Sequence, residues 1–134
     1  MTIKLIAVYD QPEDAEAFFK HYKEVHTPLV KQTPGLQRLV LNRIVGDAFG
    51  GPAPYAAIAE MDYPDRETFD IAMKSSENQA VAKDLMSFAK GKVKVLVAES
   101  GEVWGLPAYG IKRNPEVQSQ LTEAQPQLTK RDAL

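Results

Sequence analysis

Apolar residues recur with two different spacings along the first hundred residues of the chain. Short runs of apolar and β-branched residues predict strands, and apolar residues that return every three or four positions predict helices between them. The predicted strands cover residues 3–9, 36–45, 55–62 and 92–99, and helical segments begin at Pro12 or Glu13, at Pro64 and at Ser76. The order β-α-β-β-α-β predicts an α+β, ferredoxin-like split βαβ fold, with a four-stranded antiparallel sheet and helices on one face.

Pro28 interrupts the first predicted helix. Proline has no amide hydrogen to donate to the carbonyl of Glu24, and it disfavours helical geometry in Thr27. We therefore expect a break or kink here, with Thr27 capping a short restart at Pro28.

The first strand is apolar on both faces of the predicted sheet. Ile3, Leu5 and Ala7 lie on one side of it, and Ile6 and Val8 lie on the other. A sheet with one face in water alternates more cleanly between apolar and polar residues. The second face is therefore expected to meet another protein surface, most simply a second copy of the chain, which predicts a homodimer.

Residues 101–134 depart from this pattern. They are polar, rich in glutamine and interrupted by three prolines. We interpret residues 1–100 as one domain and residues 101–134 as a C-terminal extension that packs on the body or on the partner subunit. The expected anchors of the extension are Trp104, Leu106 and Tyr109.

The amino-acid composition argues against several classes of function. The 134 residues are 44% hydrophobic, which suits one compact domain, and the net charge of −2 gives no basic surplus for nucleic acid or an anionic membrane. The chain has no cysteine, so thiolate catalysis and cysteine-bound metals are excluded. The N-terminus reads as a strand rather than as a signal peptide, and no apolar run approaches membrane-spanning length, so we expect a cytoplasmic protein.

Both histidines lie on the first predicted helix, and His26 falls within its apolar stripe. The residues of this face are Ala15, Phe18, Phe19, Tyr22, His26 and Leu29. An imidazole is readily poised near neutral pH, so His26 is the candidate general acid or base, with Tyr22 one turn earlier and Tyr9 at the end of the first strand. The alternative is a structural histidine that hydrogen-bonds to a backbone carbonyl.

Other polar residues offer weaker candidates. His21 and His26 are five apart, roughly 140° around an α-helix, which does not direct both at one metal ion. We expect no metal site, and we expect His21 to face solvent at the edge of the stripe. Asp84, beside an apolar helix face, is expected to bond locally or to the extension. The turn-rich loop 46–54 is interpreted as a mobile hairpin loop whose tip, Phe49, can cover a pocket mouth.

The chain resembles the EthD family in motifs spread over residues 1–100. These motifs are IKLIAVY at 3–9, FFxHYxxxHxPL at 18–29, PGL at 34–36, APYAAIAEM at 53–61 and FAxGxV at 88–93. The resemblance implies a dimeric α+β barrel, in which two ferredoxin-like subunits pack sheet to sheet. His26 matches the histidine that precedes the proline in the family's helix.

The resemblance also implies a range of functions. The family's namesake is associated with bacterial breakdown of ethyl tert-butyl ether alongside a monooxygenase system, and related barrels include cofactor-free cyclases, isomerases, decarboxylases and oxygenases. We expect a cofactor-free enzyme or binder of a small organic or aromatic compound, with His26 as the catalytic residue. The expected ligand-binding residues are Tyr9, Phe19, Tyr22 and Phe49.

A second hypothesis is a catalytically silent dimeric accessory protein that protects or delivers an intermediate to a partner oxygenase. A closed, apolar interior around His26 would favour this second function. A haem site is not favoured, because the domain is small and the neighbours of His26 are crowded aromatic residues.

Overall fold

The computed structural model describes residues 1–107, and the strands and helices of this part of the chain lie within Met1–Gly101. The strands are β1 (Thr2–Tyr9), β2 (Arg38–Arg43), β3 (Ala57–Tyr63) and β4 (Val93–Ser100). They form one antiparallel sheet in the order β2-β3-β1-β4. This topology confirms the predicted α+β, ferredoxin-like fold.

The helices carry the side-chain caps that their sequences favour. They are α1 (Ala15–His21), a π-helical turn (Tyr22–His26), α2 (Thr27–Val30), α3 (Arg66–Met73) and α4 (Ser76–Ala89). The carboxylates of Asp14 and Asp65 and the hydroxyl of Ser75 each accept a hydrogen bond from the amide three residues later. The cap of α4 is therefore Ser75, one residue before the predicted start, and Gly91 follows the helix with φ +75°.

The break or kink predicted at Pro28 is present as a π-helical turn just before the proline, where the helix widens without ending, and the predicted cap at Thr27 is wrong. The amide of Thr27 donates to the carbonyl of Tyr22, five residues back, and the Thr27 hydroxyl donates to the same carbonyl at 2.8 Å. Thr27 has helical backbone angles, φ −56° and ψ −46°, so it is not the cap of a new helix. A π-helical turn omits the i to i−4 hydrogen bond that Pro28 could not make.

The two faces of the sheet differ in burial. Along β3, alternate residues from Ala57 to Tyr63 are buried beneath the helices, and the residues between them are partly exposed. On β1 the same alternation buries Ile3 and Tyr9 and leaves Ile6 partly exposed on the open face. The fold thus leaves apolar side chains on the face away from the helices, and the dimeric barrel that would cover them stays a prediction.

The start of the C-terminal extension is irregular. Residues 102–107, which include Trp104 and Leu106, are exposed. Tyr109 and the rest of the extension lie outside the described residues, so its packing stays a prediction. None of the helices between residues 1 and 107 is long and apolar enough to cross a membrane.

Candidate active site

One carboxylate, that of Asp84 on α4, joins the two histidines. His26 Nδ1 lies 2.9 Å from Asp84 Oδ2, and His21 Nε2 lies 3.0 Å from Oδ1 and 3.1 Å from Oδ2. An ionised carboxylate only accepts hydrogen bonds, so each of these ring nitrogens must donate. When both rings are neutral, Asp84 therefore leaves His21 Nδ1 and His26 Nε2 as the basic nitrogens.

The π-helical turn is what directs both histidines at Asp84. In an α-helix, residues five apart diverge, which is why the sequence predicted that His21 and His26 would not converge. In a turn closed by hydrogen bonds between residues five apart, positions 21 and 26 lie about one turn apart. The prediction that His21 faces solvent is therefore wrong in part: its side chain is half-buried and bonded to Asp84.

Aromatic rings enclose His26 between the sheet and the helices. The Tyr22 and His26 ring centroids are 5.3 Å apart, the His26 and Phe88 centroids are 5.0 Å apart, and Tyr9 lies 5.9 Å from Tyr22. Only 1% of the surface of Tyr9, 2% of Tyr22 and 3% of His26 is exposed. The structure thus brings together three of the predicted site residues, and their functional roles stay predictions.

Burial and hydrogen bonding set the charge states of this cluster. Burial lowers the pKa of His26 below its ordinary value, although the hydrogen bond to Asp84 opposes this shift. Burial also disfavours the Asp84 carboxylate, but the hydrogen bonds from His26 and His21 outweigh it and hold the pKa of Asp84 below its ordinary value. Near neutral pH the pair is therefore a neutral His26 imidazole and an ionised Asp84.

The two tyrosines are neutral hydrogen-bonding groups. Burial raises the pKa of Tyr22 to about 12 and also raises the pKa of Tyr9. Among residues 1–107, neither tyrosine Oη nor His26 Nε2 has a hydrogen-bond partner, while every fully enclosed side-chain nitrogen or oxygen has one. Within this part of the chain, these three polar atoms are therefore free to bond to water or to a ligand.

An open cleft of about 400 Å³ borders His21. Its walls include Phe18 from α1 and Phe88 from α4, and the His21 and Phe88 ring centroids are 4.6 Å apart. Such a volume falls within the range of small-molecule sites. The cleft therefore places His21, rather than His26, at a surface that a small molecule can reach.

The other two predicted ligand-binding residues lie apart from this cluster. The Phe19 ring packs edge-on against Phe18 and carries the Arg43 guanidinium over its face at 4.5 Å. Phe49 lies at the tip of the loop between β2 and β3 and is 96% exposed. Neither ring contacts His26 in the described chain, and a binding role for each stays a prediction.

Sequence reasoning missed Asp84 and Phe88 as members of the site. Both lie on α4 four residues apart, so they share one face of that helix. A carboxylate beside the apolar stripe of α4 was the available signal, but its partner His26 is 58 residues away in sequence. Residues 1–107 contain no group of three or more histidine, aspartate or glutamate side chains placed to hold a metal ion.

The lowered pKa of His26 predicts a loss of stability in mild acid. Unfolded His26 takes up a proton near its ordinary pKa of 6.5, whereas the buried ring resists protonation. The unfolded state therefore binds more protons below pH 6.5, and stability falls by at most about 1.4 kcal/mol per pH unit until the folded pKa is reached. The ionised Asp84 carboxylate stabilises the folded state. This contribution is complete above the pKa of Asp84 in the unfolded chain, 3.8, and it is lost as the pH falls from there through the lower pKa of the folded state.

Urea unfolding of the wild type and of His26→Asn, from about pH 8 to about pH 5, measures this effect. Asparagine can still donate to Asp84 but does not titrate. We expect the wild type to lose more stability than the variant across this interval. Equal losses in the two proteins would contradict the assignment to His26.

The comparisons with known proteins agree with this fold. The sequence model of the EthD domain matches residues 10–92. An uncharacterised 11.0 kDa protein from the thcB-thcC intergenic region of Rhodococcus erythropolis is 33% identical over 101 residues, covering 75% of this chain and 96% of its own length. The crystal structure of an ethyl tert-butyl ether d (EthD) family protein from Bacillus halodurans is 40% identical, with a TM-score of 0.72, and the match covers 75% of this chain and all of that one.

Two more distant structures share the fold alone. SnoaB, a cofactor-independent oxygenase from Streptomyces nogalater, is 13% identical with a TM-score of 0.57, covering 79% of this chain and 97% of that one. A dimeric ferredoxin-like protein from Thermobifida fusca is 14% identical with a TM-score of 0.55, covering 73% of this chain and 90% of that one. Since the family model spans more than half of the chain, from the residue after β1 to the residue before β4, this chain belongs to the EthD family.

Proposed function

We propose that this chain is a cofactor-free enzyme that acts on a small organic or aromatic compound, with His26 as its general acid or base. The observation that carries the proposal is the 2.9 Å hydrogen bond between His26 Nδ1 and Asp84 Oδ2 inside an aromatic enclosure. A carboxylate behind an imidazole fixes its tautomer and stabilises the imidazolium that forms when the ring takes a proton. SnoaB shows that a protein of this fold can be a cofactor-independent oxygenase.

The neighbouring side chains support a binding role. Neutral Tyr9 and Tyr22 hydroxyls can donate a hydrogen bond to a ligand oxygen but cannot act as bases near neutral pH. The Phe88 ring offers a flat apolar surface next to both histidines. We therefore assign Tyr9 and Tyr22 to ligand orientation and His26 to proton transfer.

The alternative function is a catalytically silent accessory protein that protects or delivers an intermediate to a partner oxygenase. The near-complete burial of Tyr9, Tyr22 and His26 favours it, since the rings leave little surface for a substrate. The open cleft beside His21 favours ligand binding under either function.

Removal of the imidazole at position 26 distinguishes these functions. The wild type is incubated without added cofactor with a panel of small aromatic and carbonyl compounds, and conversion is followed by mass spectrometry. For any compound that is converted, we expect His26→Asn to be slower by about 10² to 10⁴-fold, the usual contribution of general acid–base catalysis.

Glu24→Gln is the matched control, because Glu24 is exposed on the same π-helical turn. It should keep the wild-type rate, and both variants should melt within a few degrees of the wild type. Full activity in His26→Asn would exclude His26 as the acid or base. Binding of a compound without conversion would support the accessory function instead.

We also propose that two copies of the chain pair through the open sheet face. Ile6 and Ile58 are partly exposed on this face, and Leu96 of β4, opposite Ile6, is 53% exposed. Polar groups on the same face satisfy one another: Lys4 bonds to Asp62 at 2.9 Å, and Asn42 bonds to Glu60 at 2.8 Å. The likeness to a dimeric ferredoxin-like protein from Thermobifida fusca supports the pairing of two copies.

A charge on the open face should separate the copies. The wild type is expected to be a dimer by light scattering at micromolar concentration, with a total interface on the order of 1,600 Å². We expect Leu96→Glu to be monomeric or much weaker in association, because it would bury a carboxylate. Ile71→Glu is the control, since Ile71 is similarly exposed, 60%, but lies on α3. A monomeric wild type, or equal effects of the two variants, would contradict the sheet-face dimer.

A further inference from the structure

We propose that the cleft beside His21 binds an uncharged, flat, weakly acidic molecule, such as a phenol or an enol, and that His21 takes its proton. This inference rests on the proposed small-molecule function and adds a second base to it. Three observations carry it: the shape of the cleft, its charge, and the bond between His21 and Asp84.

The apolar walls of the cleft suit a flat molecule. Phe18 and Phe88 line it from two different helices and contact each other, with ring centroids 5.6 Å apart, so they form one continuous aromatic wall, and Pro12 and Ala17 complete the apolar lining. A volume of about 400 Å³ accommodates one small aromatic compound. Aromatic rings pack well against such walls, with offset or edge-to-face contacts.

The charges around the cleft disfavour a permanent anion. Glu13 and Asp14 place two carboxylates at its rim, against one cationic side chain, Lys92. A carboxylate or phosphate ligand would therefore meet a negative surplus. A neutral molecule with an acidic hydroxyl avoids this repulsion and develops charge only on proton transfer.

His21 is the group in the cleft that is prepared to accept that proton. Asp84 accepts a hydrogen bond from His21 Nε2, which leaves the lone pair on Nδ1. No group among residues 1–107 bonds to Nδ1. In the step we propose, the O–H bond of the ligand breaks, its electron pair stays on oxygen, and a new N–H bond forms at His21 Nδ1. The resulting imidazolium is stabilised by the Asp84 carboxylate.

His21 and His26 have different roles because their rings lie in different places. His21 touches the ligand, Asp84 is a positioning residue, and His26 holds Asp84 from its buried side at 2.9 Å. The shared carboxylate thus links a base at the cleft to a base among the buried tyrosines.

Binding of para-nitrophenol tests the inference, because its anion absorbs visible light and its neutral form does not. The wild type is titrated at a pH where the free phenol is mostly protonated. We expect saturable binding that raises the absorbance of the anion. His21→Gln should abolish this absorbance and weaken binding about tenfold or more, since it keeps a donor for Asp84 but removes the base.

Two further variants separate the roles. Asp84→Asn should lose most of the anion signal, whereas Asp70→Asn, on an exposed carboxylate of α3, should behave as the wild type. Melting temperatures show that each variant is folded, and His21→Asn serves as a second substitution if His21→Gln is not.

The outcomes distinguish this inference from the proposed function. The inference is overturned if the wild type does not bind the phenol, if it binds the phenol without forming the anion, or if His21→Gln keeps the signal. If the absorbance of the anion is lost in His26→Asn but kept in His21→Gln, the assignment of the base to His21 is overturned. The proposal that His26 is the acid or base would then still stand. A signal lost in His21→Gln and Asp84→Asn but kept in Asp70→Asn would support it even if His26→Asn proves fully active on the substrate.

Discussion

The missing amide hydrogen of Pro28 shapes the candidate site. In a regular α-helix its ring would crowd the carbonyl of Glu24, and one backbone hydrogen bond would be lost. Instead, the helical turn before Pro28 is a π-helical turn, which is one residue longer than an α-helical turn. The Tyr22 carbonyl accepts two hydrogen bonds from Thr27. This wider turn places His21 and His26 on one side of the helix, facing α4.

The shared carboxylate of Asp84 follows from that geometry. Its side chain is mostly buried, and a buried carboxylate is costly unless donors surround it. His21 and His26 supply those donors, and the Ser87 hydroxyl lies 3.4 Å from Oδ1. The same bonds that hold the charge of Asp84 also orient both rings, so packing and proton chemistry depend on the same three side chains.

The fold was predictable because its signals are local and repeated. Alternation along β3, the helical period of the segment after Ser75 and the turn glycines all agree with one topology, and the predicted bounds differ from the observed ones by a few residues. Burial of His26 beside Tyr22 was also predictable, since one turn of helix separates them. What failed was the assumption of 100° per residue through the turn that precedes Pro28, which concealed the convergence of His21 with His26. Asp84 was missed because its partners lie on another helix, and tertiary contacts of this kind leave little trace in local sequence.

The tautomers of the two imidazoles test this account most directly. The chain has two histidines, so the nitrogen-15 spectrum contains two ring systems, and His21→Gln and His26→Asn assign them. At a pH where both rings are neutral, we predict the proton of His21 on Nε2 and that of His26 on Nδ1, each facing Asp84. A proton on Nε2 of His26, or on Nδ1 of His21, would show that Asp84 does not hold that ring and would contradict the account.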